Sequence, residues 1–256
     1  MVLDPHALAG RTVLLTGASG GIGAATATTL AAAGAHVIAQ YRTHDAAARE
    51  ALTAAPADHT HLLAADLGSA QGARALWLAA SKWRAVDVLV ANAAVNPDSP
   101  MNGSDQEWDA GWELAMRVNV IGAAALIREA ARSFAERGSG NVIVLSSWAA
   151  EQGSRILDSS AYAASKAAIR SLAQTFARQY ARSGVSVHIV APGVVAGGMG
   201  TAGMDDVAFR RVADGLAMGR HVAPQEVADL IAFLATGACS SLTGGTVDLN
   251  GASYIR

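Results

Sequence analysis

Two residues of the 256-residue chain have the types and the spacing needed to move a proton. Tyr162 and Lys166 lie four residues apart in a strongly helical stretch, and this spacing places both side chains on one helix face. A free phenol has a pKa of about 10 and is a poor base at neutral pH, but a neighbouring ammonium favours the phenolate and lowers that pKa. The pair therefore predicts acid-base chemistry at the Tyr162 hydroxyl. The alternative is that Tyr162 only packs against another helix while Lys166 lies in solvent.

A hydroxyl and an amide could assist this chemistry. Ser147 closes a predicted strand at the carboxyl edge of a sheet, where its hydroxyl could donate a hydrogen bond to a carbonyl oxygen. Ser146 is the rival for that role, and either serine could merely cap the strand end. Asn119 lies inside a helical pattern although asparagine is a poor residue for a helix interior. Its amide could bend the helix and hold a water molecule, or it could only bond its own backbone.

A glycine-rich turn near the N-terminus has the pattern of a phosphate-binding site. The run TGASGGIG occupies residues 16–23, directly between a predicted strand and a predicted helix. Gly17 would permit the tight turn, Gly21 would let the backbone approach a pyrophosphate, and Gly23 would permit close packing of the helix. The exposed N–H groups and the positive end of the helix would then face the anion. Glycines also end strands for purely steric reasons, so the turn by itself is a weak signal.

The end of the second predicted strand bears on the choice of dinucleotide. It reads QYRTH over residues 40–44, without an acidic residue. An aspartate there would accept hydrogen bonds from the ribose 2′-hydroxyl of NAD, whereas Arg42 could pair with the 2′-phosphate of NADP. The sequence therefore favours NADP(H) over NAD(H), unless Arg42 is an ordinary solvated side chain. After the third strand, Asp66 and Leu67 are candidate adenine contacts, although Asp66 could instead cap a helix.

These residues need a scaffold that brings strand ends together, and the hydrophobic pattern predicts one. Short, nearly continuous apolar runs alternate with longer alanine-rich helical patterns, which indicates βαβ units and a parallel sheet with helices on both faces. We therefore predict an α/β fold in one domain over residues 1–256. The predicted strands are 12–15, 37–39, 61–64, 86–90, 141–145 and 185–190, and the predicted helices are 21–33, 45–54, 69–84, 105–136 with a break, 161–182 and 224–236.

Composition and charge narrow the possible partners. With 19 basic and 21 acidic residues, the formal charge of −2 gives no long-range field that would attract nucleic acid or an anionic membrane. The single cysteine, Cys239, permits no internal disulfide and the N-terminus lacks a secretory pattern, which together predict a cytoplasmic protein. No run of about 18 strongly apolar residues is present, so no membrane span is predicted. The seven histidines and the cysteine show no zinc-ligand spacing, and no metal is predicted.

Taken together, these motifs resemble the single-domain short-chain dehydrogenase/reductase family, over about residues 11–251. Residues 16–23 look like the family's TGxxxGxG turn, residues 92–94 (Asn-Ala-Ala) look like its NAG, and residues 192–193 look like the PG after its sixth strand. The set that looks like its catalytic tetrad is Asn119, Ser147, Tyr162 and Lys166.

The resemblance implies a Rossmann-type doubly wound sheet, an NAD(P)-dependent oxidoreductase that interconverts a carbonyl and a secondary alcohol, and a homotetramer packed through the long helices and the C-terminal segment. It implies that Tyr162 is the acid/base and that Ser147 polarises the carbonyl. It also implies that Lys166 holds the nicotinamide ribose and that Asn119 supports a water relay. Besides Tyr162 and Lys166, the expected cofactor contacts are Gly17, Ser19, Gly21, Ile22, Gly23, Arg42, Asp66, Leu67, Asn92, Ala93, Pro192, Gly193 and Val195.

The sequence departs from the family pattern at two places. The interval from Ser147 to Tyr162 is 15 residues, two more than in the commonest members, so we expect an extra bulge beside the substrate between residues 148 and 160. Members usually bind the cofactor carboxamide through a threonine four residues after the PG glycine, where this chain has Gly197. Thr201 could substitute from a shifted loop, the main chain could do the work, or the cofactor could be held less firmly.

Residues 194–221 are predicted to form the substrate lid. Their apolar side chains would suit a moderately apolar carbonyl, although helix-spaced apolar residues more often pack than recognise ligands. Arg210, Arg211 and Arg220 could meet the phosphate of an acyl carrier or of coenzyme A, or could be solvated charges. Residues 247–254 resemble the ends of 3-oxoacyl carrier-protein reductases. This ranks a 3-oxoacyl thioester first among substrates and leaves sugar, polyol, steroid and polyketide carbonyls open.

Two other classes of function compete with a reductase. A non-catalytic NADP(H)-binding redox sensor would keep the dinucleotide site, but it would have no need of a matched pair such as Tyr162 and Lys166. A lyase or epimerase of nucleotide sugars is less compatible, because such relatives are usually longer and carry a separate substrate region.

Overall fold

The computed structural model describes residues 4–43 and 45–255, so His44 and the outer limits of the predicted domain, 1–3 and 256, lie outside the described residues. A parallel sheet forms its centre. The strands are β1 (Thr12–Leu15), β2 (His36–Tyr41), β3 (Thr60–Ala64), β4 (Val88–Ala91), β5 (Gly140–Leu145), β6 (Val185–Pro192) and β7 (Thr246–Leu249). Their order across this seven-stranded sheet is β3-β2-β1-β4-β5-β6-β7.

Helices cover both faces of the sheet. In the described ranges they are α1 (Gly21–Ala32), α2 (Ala46–Ala51), α3 (Ala70–Trp83), α4 (Asp105–Ala115), α5 (Ala123–Arg137), α6 (Ala149–Gln152), α7 (Ser160–Tyr180), α8 (Asp206–Asp214) and α9 (Pro224–Ala235). On one face α1 packs against α9, and on the other α5 packs against α3 and α7.

The core lies on both sides of the strands because their side chains are almost continuously apolar. Every position of β1 and β4 is buried. One core cluster contains Leu30 of α1 and Ile231 of α9, and the other contains Leu76 of α3, Phe134 of α5 and Ile169 of α7. Two apolar layers on one parallel sheet confirm the predicted doubly wound α/β architecture.

The predicted elements agree with the structure to within three residues at their ends, but, apart from 3-10 turns, three short elements have no counterpart in the prediction. These are α6, α8 and β7. The four residues of β7 are all partly exposed and include Asp248, so this edge strand lacks the continuous apolar run that marks the other strands. Because α6 spans only four residues, it carries too little periodicity to be recognised.

The break predicted within residues 105–136 is a change of helix type. Met116–Gly122 forms a π-helical segment between α4 and α5, with Asn119 at its centre. By length and composition alone, the continuous stretch Asp105–Arg137 is long and apolar enough to cross a membrane, and 44% of its most apolar window is buried inside the fold. The buried side chains of α5 belong to the core between the sheet and its neighbouring helices, and core helices of this kind also meet those two criteria.

The order of the strands creates a crevice at the carboxyl edge of the sheet. The chain runs outward from β1 through β2 to β3 and then returns to β4 on the other side of β1. The connections that follow β1 and β4 therefore diverge at this point, where open α/β sheets bind their ligands. The glycine-rich turn follows β1 and Asn92 follows β4, so both lie at the crevice.

Candidate active site

The glycine-rich turn contains positions where only glycine fits. Gly17 has a backbone φ of +68°, and a Cβ there would lie 2.9 Å from the Cα of Ala93. A Cβ on Gly23 would collide with the carbonyl oxygen of Gly17, so the first turn of α1 packs directly against the loop. Gly20 precedes α1 without a side-chain cap. The first N–H groups of this helix are therefore left for another acceptor, which is the arrangement that binds phosphate.

Residues that follow β4 brace this turn. Asn92 Nδ2 donates hydrogen bonds to the carbonyl oxygens of Thr16 at 2.9 Å and of Gly17 at 3.2 Å. The backbone N–H groups of Asn92 and Ala93 both donate to Thr16 Oγ1 at 3.0 Å. These bonds tie the ends of β1 and β4 together and fix the floor of the crevice.

A cavity of about 300 Å³, here called the turn cavity, opens beside the glycine-rich turn. Its wall combines glycine backbone, the start of α1 and the exposed side chain of Arg42. This donor set fits the phosphates and adenosine of NAD(P). The predicted cofactor contacts that line it are Gly17, Ser19, Gly21, Ile22, Gly23, Arg42, Asp66, Leu67, Asn92 and Ala93.

Two charged residues of the turn cavity differ in their partners. Within residues 4–43 and 45–255, Arg42 forms no ion pair. Asp66 Oδ1 accepts a hydrogen bond from Gly68 N at 2.9 Å, whereas the hydroxyl of Ser69 caps α3 by accepting from Gly72 N at 3.0 Å. The alternative that Asp66 caps the helix is therefore wrong.

Tyr162, Ser147 and Lys166 meet on the wall of a second cavity of about 380 Å³, here called the tyrosine cavity. A side-chain hydrogen bond joins Tyr162 to Ser147. Lys166 Nζ lies 5.7 Å from the centroid of the Tyr162 ring, so the two side chains share a helix face, as their spacing predicts. Lys166 is only 4% exposed and its Nζ donates to the carbonyl oxygen of Leu145 at 2.7 Å. The alternative with Lys166 in solvent is therefore wrong.

Burial controls the proton affinities of this pair. It raises the pKa of the Tyr162 phenol, and the hydrogen bond with Ser147 opposes that shift only in part. Burial also lowers the pKa of the Lys166 ammonium to about 8. The expected lowering of the Tyr162 pKa is therefore not found, because removal of water from the phenol raises that pKa. At neutral pH Tyr162 holds its proton, a state suited to donating it.

The two neighbouring serines have separate partners. Ser146 Oγ donates to the carbonyl oxygen of Lys166 at 3.0 Å and so joins β5 to α7. Ser147 Oγ accepts from Ala149 N at 3.2 Å and also bonds Tyr162. The structure therefore places Ser147, rather than Ser146, at the phenol.

Asn119 contacts the helix that carries Tyr162 and Lys166. Its Oδ1 accepts from Val95 N at 2.8 Å, while its Nδ2 donates to Val95 O at 2.8 Å and to Ser165 Oγ at 2.9 Å. Ser165 Oγ in turn donates to the carbonyl oxygen of Tyr162 at 2.7 Å. Asn119 therefore links the loop after β4 to the Tyr162 helix, and it does not bond its own backbone.

The two cavities form one cleft. Ile22, Asn92, Gly198 and Met199 line both of them, so the glycine-rich turn and the tyrosine wall adjoin. The remaining predicted cofactor contacts, Pro192, Gly193 and Val195, line the tyrosine cavity.

The predicted lid, residues 194–221, contributes the apolar wall expected of it and includes α8. The lid residues that line the tyrosine cavity with apolar side chains are Val194, Val195, Met199, Met204, Val212 and Leu216.

Within the lid, the main chain rather than Thr201 faces the glycine-rich turn. The Thr201 hydroxyl is buried and donates to the carbonyl oxygen of Gly198 at 3.2 Å, so it faces the loop itself. The carbonyl oxygen of Gly197 would lie 3.0 Å from a Cβ on Gly21. This geometry supports the alternative in which the main chain binds the carboxamide. It gives no support to a shifted Thr201.

Three site residues have no counterpart in the sequence prediction. Gln40 is 3% exposed, accepts from Gly17 N at 2.9 Å and donates to Ala65 O at 2.8 Å, so it supports the turn from β2. The sequence signal that could have identified Gln40 is its polar side chain at the end of a predicted buried strand, since such a group needs a hydrogen-bond partner. Trp148 and Arg155 line the tyrosine cavity from the longer segment between Ser147 and Tyr162, which fits the expected bulge.

Among the residues that the structure describes, no group of three or more His, Cys, Asp or Glu side chains could hold a metal ion. Charge in the cleft is instead carried by basic side chains and one acidic one, Asp66.

Comparisons with known proteins show what the chain as a whole is similar to. Residues 11–207 match the family model described as short chain dehydrogenase. The chain is 34% identical to cis-4-hydroxycyclohexanecarboxylate dehydrogenase of Sinomonas cyclohexanicum, over 96% of this chain and 97% of the relative. It is 30% identical to 3-oxoacyl-(acyl-carrier-protein) reductase of Rickettsia conorii, over 95% and 97%.

Solved structures show the same similarity. The crystal structure of 3-oxoacyl (acyl-carrier-protein) reductase from Agrobacterium tumefaciens C58 with NADP bound superposes with a TM-score of 0.85 at 30% identity, and covers 95% of this chain and 94% of that one. The family binds NAD(P) and acts on alcohol and carbonyl groups. With its Rossmann-fold sheet and a family match over most of its length, the chain belongs to the short-chain dehydrogenase/reductase family of oxidoreductases.

Proposed function

We propose that this protein is an NADP(H)-dependent reductase that interconverts a ketone and a secondary alcohol, with Tyr162 as the proton donor. One observation carries the proposal: Tyr162, Ser147 and Lys166 share the wall of a cavity that adjoins the glycine-rich turn. A dinucleotide that follows the turn would reach the tyrosine wall, because the two cavities form one cleft. We further propose that the described elements work as a single domain in the cytoplasm, which cell fractionation would test.

The side chains divide the chemistry among them. NADP(H), when bound, supplies the hydride for the carbonyl carbon. Tyr162 donates its proton to the carbonyl oxygen, so that one hydride and one proton convert the ketone to the alcohol, and the reverse transfer restores both. Ser147 donates a hydrogen bond to the same oxygen and stabilises its developing charge. The raised pKa of Tyr162 supports this direction, because the phenol holds its proton at neutral pH.

Lys166 and Asn119 have supporting roles in this proposal. The Lys166 ammonium would hold the nicotinamide ribose of a bound cofactor, and it presents a positive charge beside the phenol after its proton has left. Both N–H bonds of the Asn119 amide are already used by Val95 and Ser165. We therefore assign Asn119 as a positioning residue that fixes the Tyr162 helix, rather than as a ligand of relay water.

Arg42 is the residue that supports NADP(H) over NAD(H). It lies on the turn cavity, after β2, with no ion pair in the described part of the chain to compete for its guanidinium. A 2′-phosphate would give it a bidentate partner.

The experiment that tests this function is a titration with NADPH and NADH, followed by cofactor oxidation assays over a panel of ketones. Arg42→Ala should weaken NADPH binding by about tenfold and leave NADH binding within about twofold. Arg49→Ala, an exposed arginine of α2 whose partner is Asp45, is the matched control and should change neither. Equal losses for both cofactors would reject the role of Arg42. Tight binding without turnover of any ketone would identify a redox sensor instead.

The substrate is less closely defined than the reaction. The names of the two curated relatives point to a cyclic hydroxy acid and to a 3-oxoacyl thioester, which share a carbonyl/alcohol pair but little else. We propose a compact and largely apolar substrate, since apolar lid residues and Trp148 line the tyrosine cavity. A 3-oxoacyl thioester remains one member of the panel.

A further inference from the structure

The charged side chains that line the tyrosine cavity all have the same sign. Among the described residues on its wall, Lys166, Arg155 and Arg211 are cationic, and none is an aspartate or a glutamate. The rest of the wall is largely apolar. Lys166 donates a hydrogen bond to the carbonyl oxygen of Leu145 and lies beside Tyr162. The two arginines are therefore the charged groups that could bind the part of a substrate away from its carbonyl.

Arg155 is held on the wall by an aromatic ring. It belongs to the segment between Ser147 and Tyr162 that is two residues longer than in the commonest family members. Its guanidinium carbon lies 5.5 Å from the centroid of the Trp148 ring, a cation–π contact. Trp148 also lines the cavity, and the described part of the chain gives Arg155 no ion pair.

Arg211 reaches the same cavity from the lid. It lies on α8, which Asp205 caps by accepting from Ala208 N at 2.8 Å. The guanidinium groups of the other two lid arginines have protein partners. Arg210 donates to the carbonyl oxygen of Asp206 at 3.1 Å, and Arg220 forms two hydrogen bonds with Glu226 at 2.8 and 2.9 Å. Of the three lid arginines, Arg211 alone lines the tyrosine cavity, and no carboxylate of the described residues forms an ion pair with it.

We propose that the substrate is a compact oxo acid or hydroxy acid whose carboxylate is bound by Arg155 and Arg211 while its ketone or alcohol faces Tyr162. The planar guanidinium group matches a carboxylate, and a partly enclosed apolar cavity strengthens that pairing. A cavity of about 380 Å³ that is also lined by Lys166, Pro192 and Gly193 leaves room for a small apolar body between the two polar ends. This inference rests on the proposed reductase function and names its substrate class.

The test compares matched substrates in matched variants. Reduction of 4-oxocyclohexanecarboxylate is measured beside that of its methyl ester, which has the same ketone without the charge. In the parent protein the acid should have the higher kcat/KM. Arg155→Ala and Arg211→Ala should each lower kcat/KM for the acid by about tenfold, mainly through KM, and leave the ester within about threefold. Arg210→Ala, which removes the same charge from the neighbouring position of α8, should leave both substrates unchanged, and Arg211→Lys should restore part of the loss.

A second pair of substrates separates a carboxylate from a phosphate. Acetoacetyl-coenzyme A carries phosphates that acetoacetyl-N-acetylcysteamine lacks. If the arginine variants impair only the coenzyme A thioester, the carboxylate proposal is overturned in favour of phosphate recognition. If the acid and the ester are reduced equally well and the variants do not change their ratio, the proposal is also overturned, although the reductase function stands.

Binding gives a readout that does not depend on turnover. Calorimetric titration with cyclohexanecarboxylate should show binding to the parent protein and to Arg210→Ala, and about tenfold weaker binding to Arg211→Ala. Retained affinity in Arg211→Ala and Arg155→Ala would overturn the proposal. Binding of this carboxylate through the arginines without reduction of any ketone would uphold the anion site and reject the reductase function.

Discussion

At the scale of single residues, the environment of Lys166 decides how its charge can be used. Burial lowers the pKa of this ammonium to about 8, close to physiological pH. Below that value Lys166 is positively charged beside the phenol, and above it the charge is lost. The pKa of the phenol shifts in the opposite direction. Because burial raises it, Tyr162 stays protonated over the same pH range.

The pH dependence of reduction should therefore report Lys166. With a neutral ketone as substrate, we expect kcat/KM to be constant near pH 7 and to fall as the pH rises through about 8, because kcat/KM follows the protonation of the free enzyme. Burial lowers the pKa of His188 and His221, so these histidines stay neutral and do not titrate in this range. Lys82→Gln, which removes the chain's other lysine from an exposed position, should keep the same profile. A flat profile up to pH 9.5 would contradict this assignment.

Residue types and spacing predicted which candidate site residues would lie together, but not their surroundings. Tyr162, Lys166 and Ser147 could be selected because a shared helix face and a strand end follow from local pattern. The direction of the Tyr162 pKa shift could not, since it depends on how much water the fold removes from the phenol. The contacts of Gln40 and Ser165 could not be predicted either, because their partners are distant in sequence.

At the scale of elements, the site depends on short segments whose sequence signal is weak. The longer stretch after Ser147, where a bulge is expected, contains α6 and a 3-10 turn, Leu157–Ser159. The lid contains α8, of whose apolar residues Val212 lines the tyrosine cavity, while Phe209 packs against His221. The π-helical segment Met116–Gly122 turns Asn119 toward Val95 and Ser165. The long, strongly periodic helices were predictable because their apolar stripes span several turns.

At the scale of the whole molecule, strand order is what brings the site together. The turn after β1 and the loop after β4 meet because the chain reverses direction across the sheet between β3 and β4. Alternating strands and helices predicted this parallel architecture, and the family resemblance supplied the doubly wound order. The edge strand β7 could not be predicted, since its partly exposed side chains follow no continuous apolar run.

Assembly belongs to the same scale, and we propose that the protein is a homotetramer. Ile121, in the long helical stretch expected to pack between subunits, is 50% exposed in the single chain, and Leu242 near the C-terminus is 39% exposed. Sedimentation equilibrium should give a mass about four times the 26.0 kDa of one chain. Ile121→Glu should lower that mass by placing a charge in the interface. A mass of one chain at micromolar concentration would reject the tetramer.

The most direct test of the account is the turnover of Tyr162→Phe beside its affinity for NADPH. The substitution removes the proton donor and leaves the ring, so we expect kcat/KM for ketone reduction to fall by about a thousandfold or more while the NADPH dissociation constant stays within about threefold. Tyr180→Phe, a tyrosine of the same helix whose ring packs on Phe176, should retain full activity. If Tyr162→Phe reduces ketones within a few-fold of the parent rate, the proton does not come from Tyr162 and the proposed chemistry is wrong.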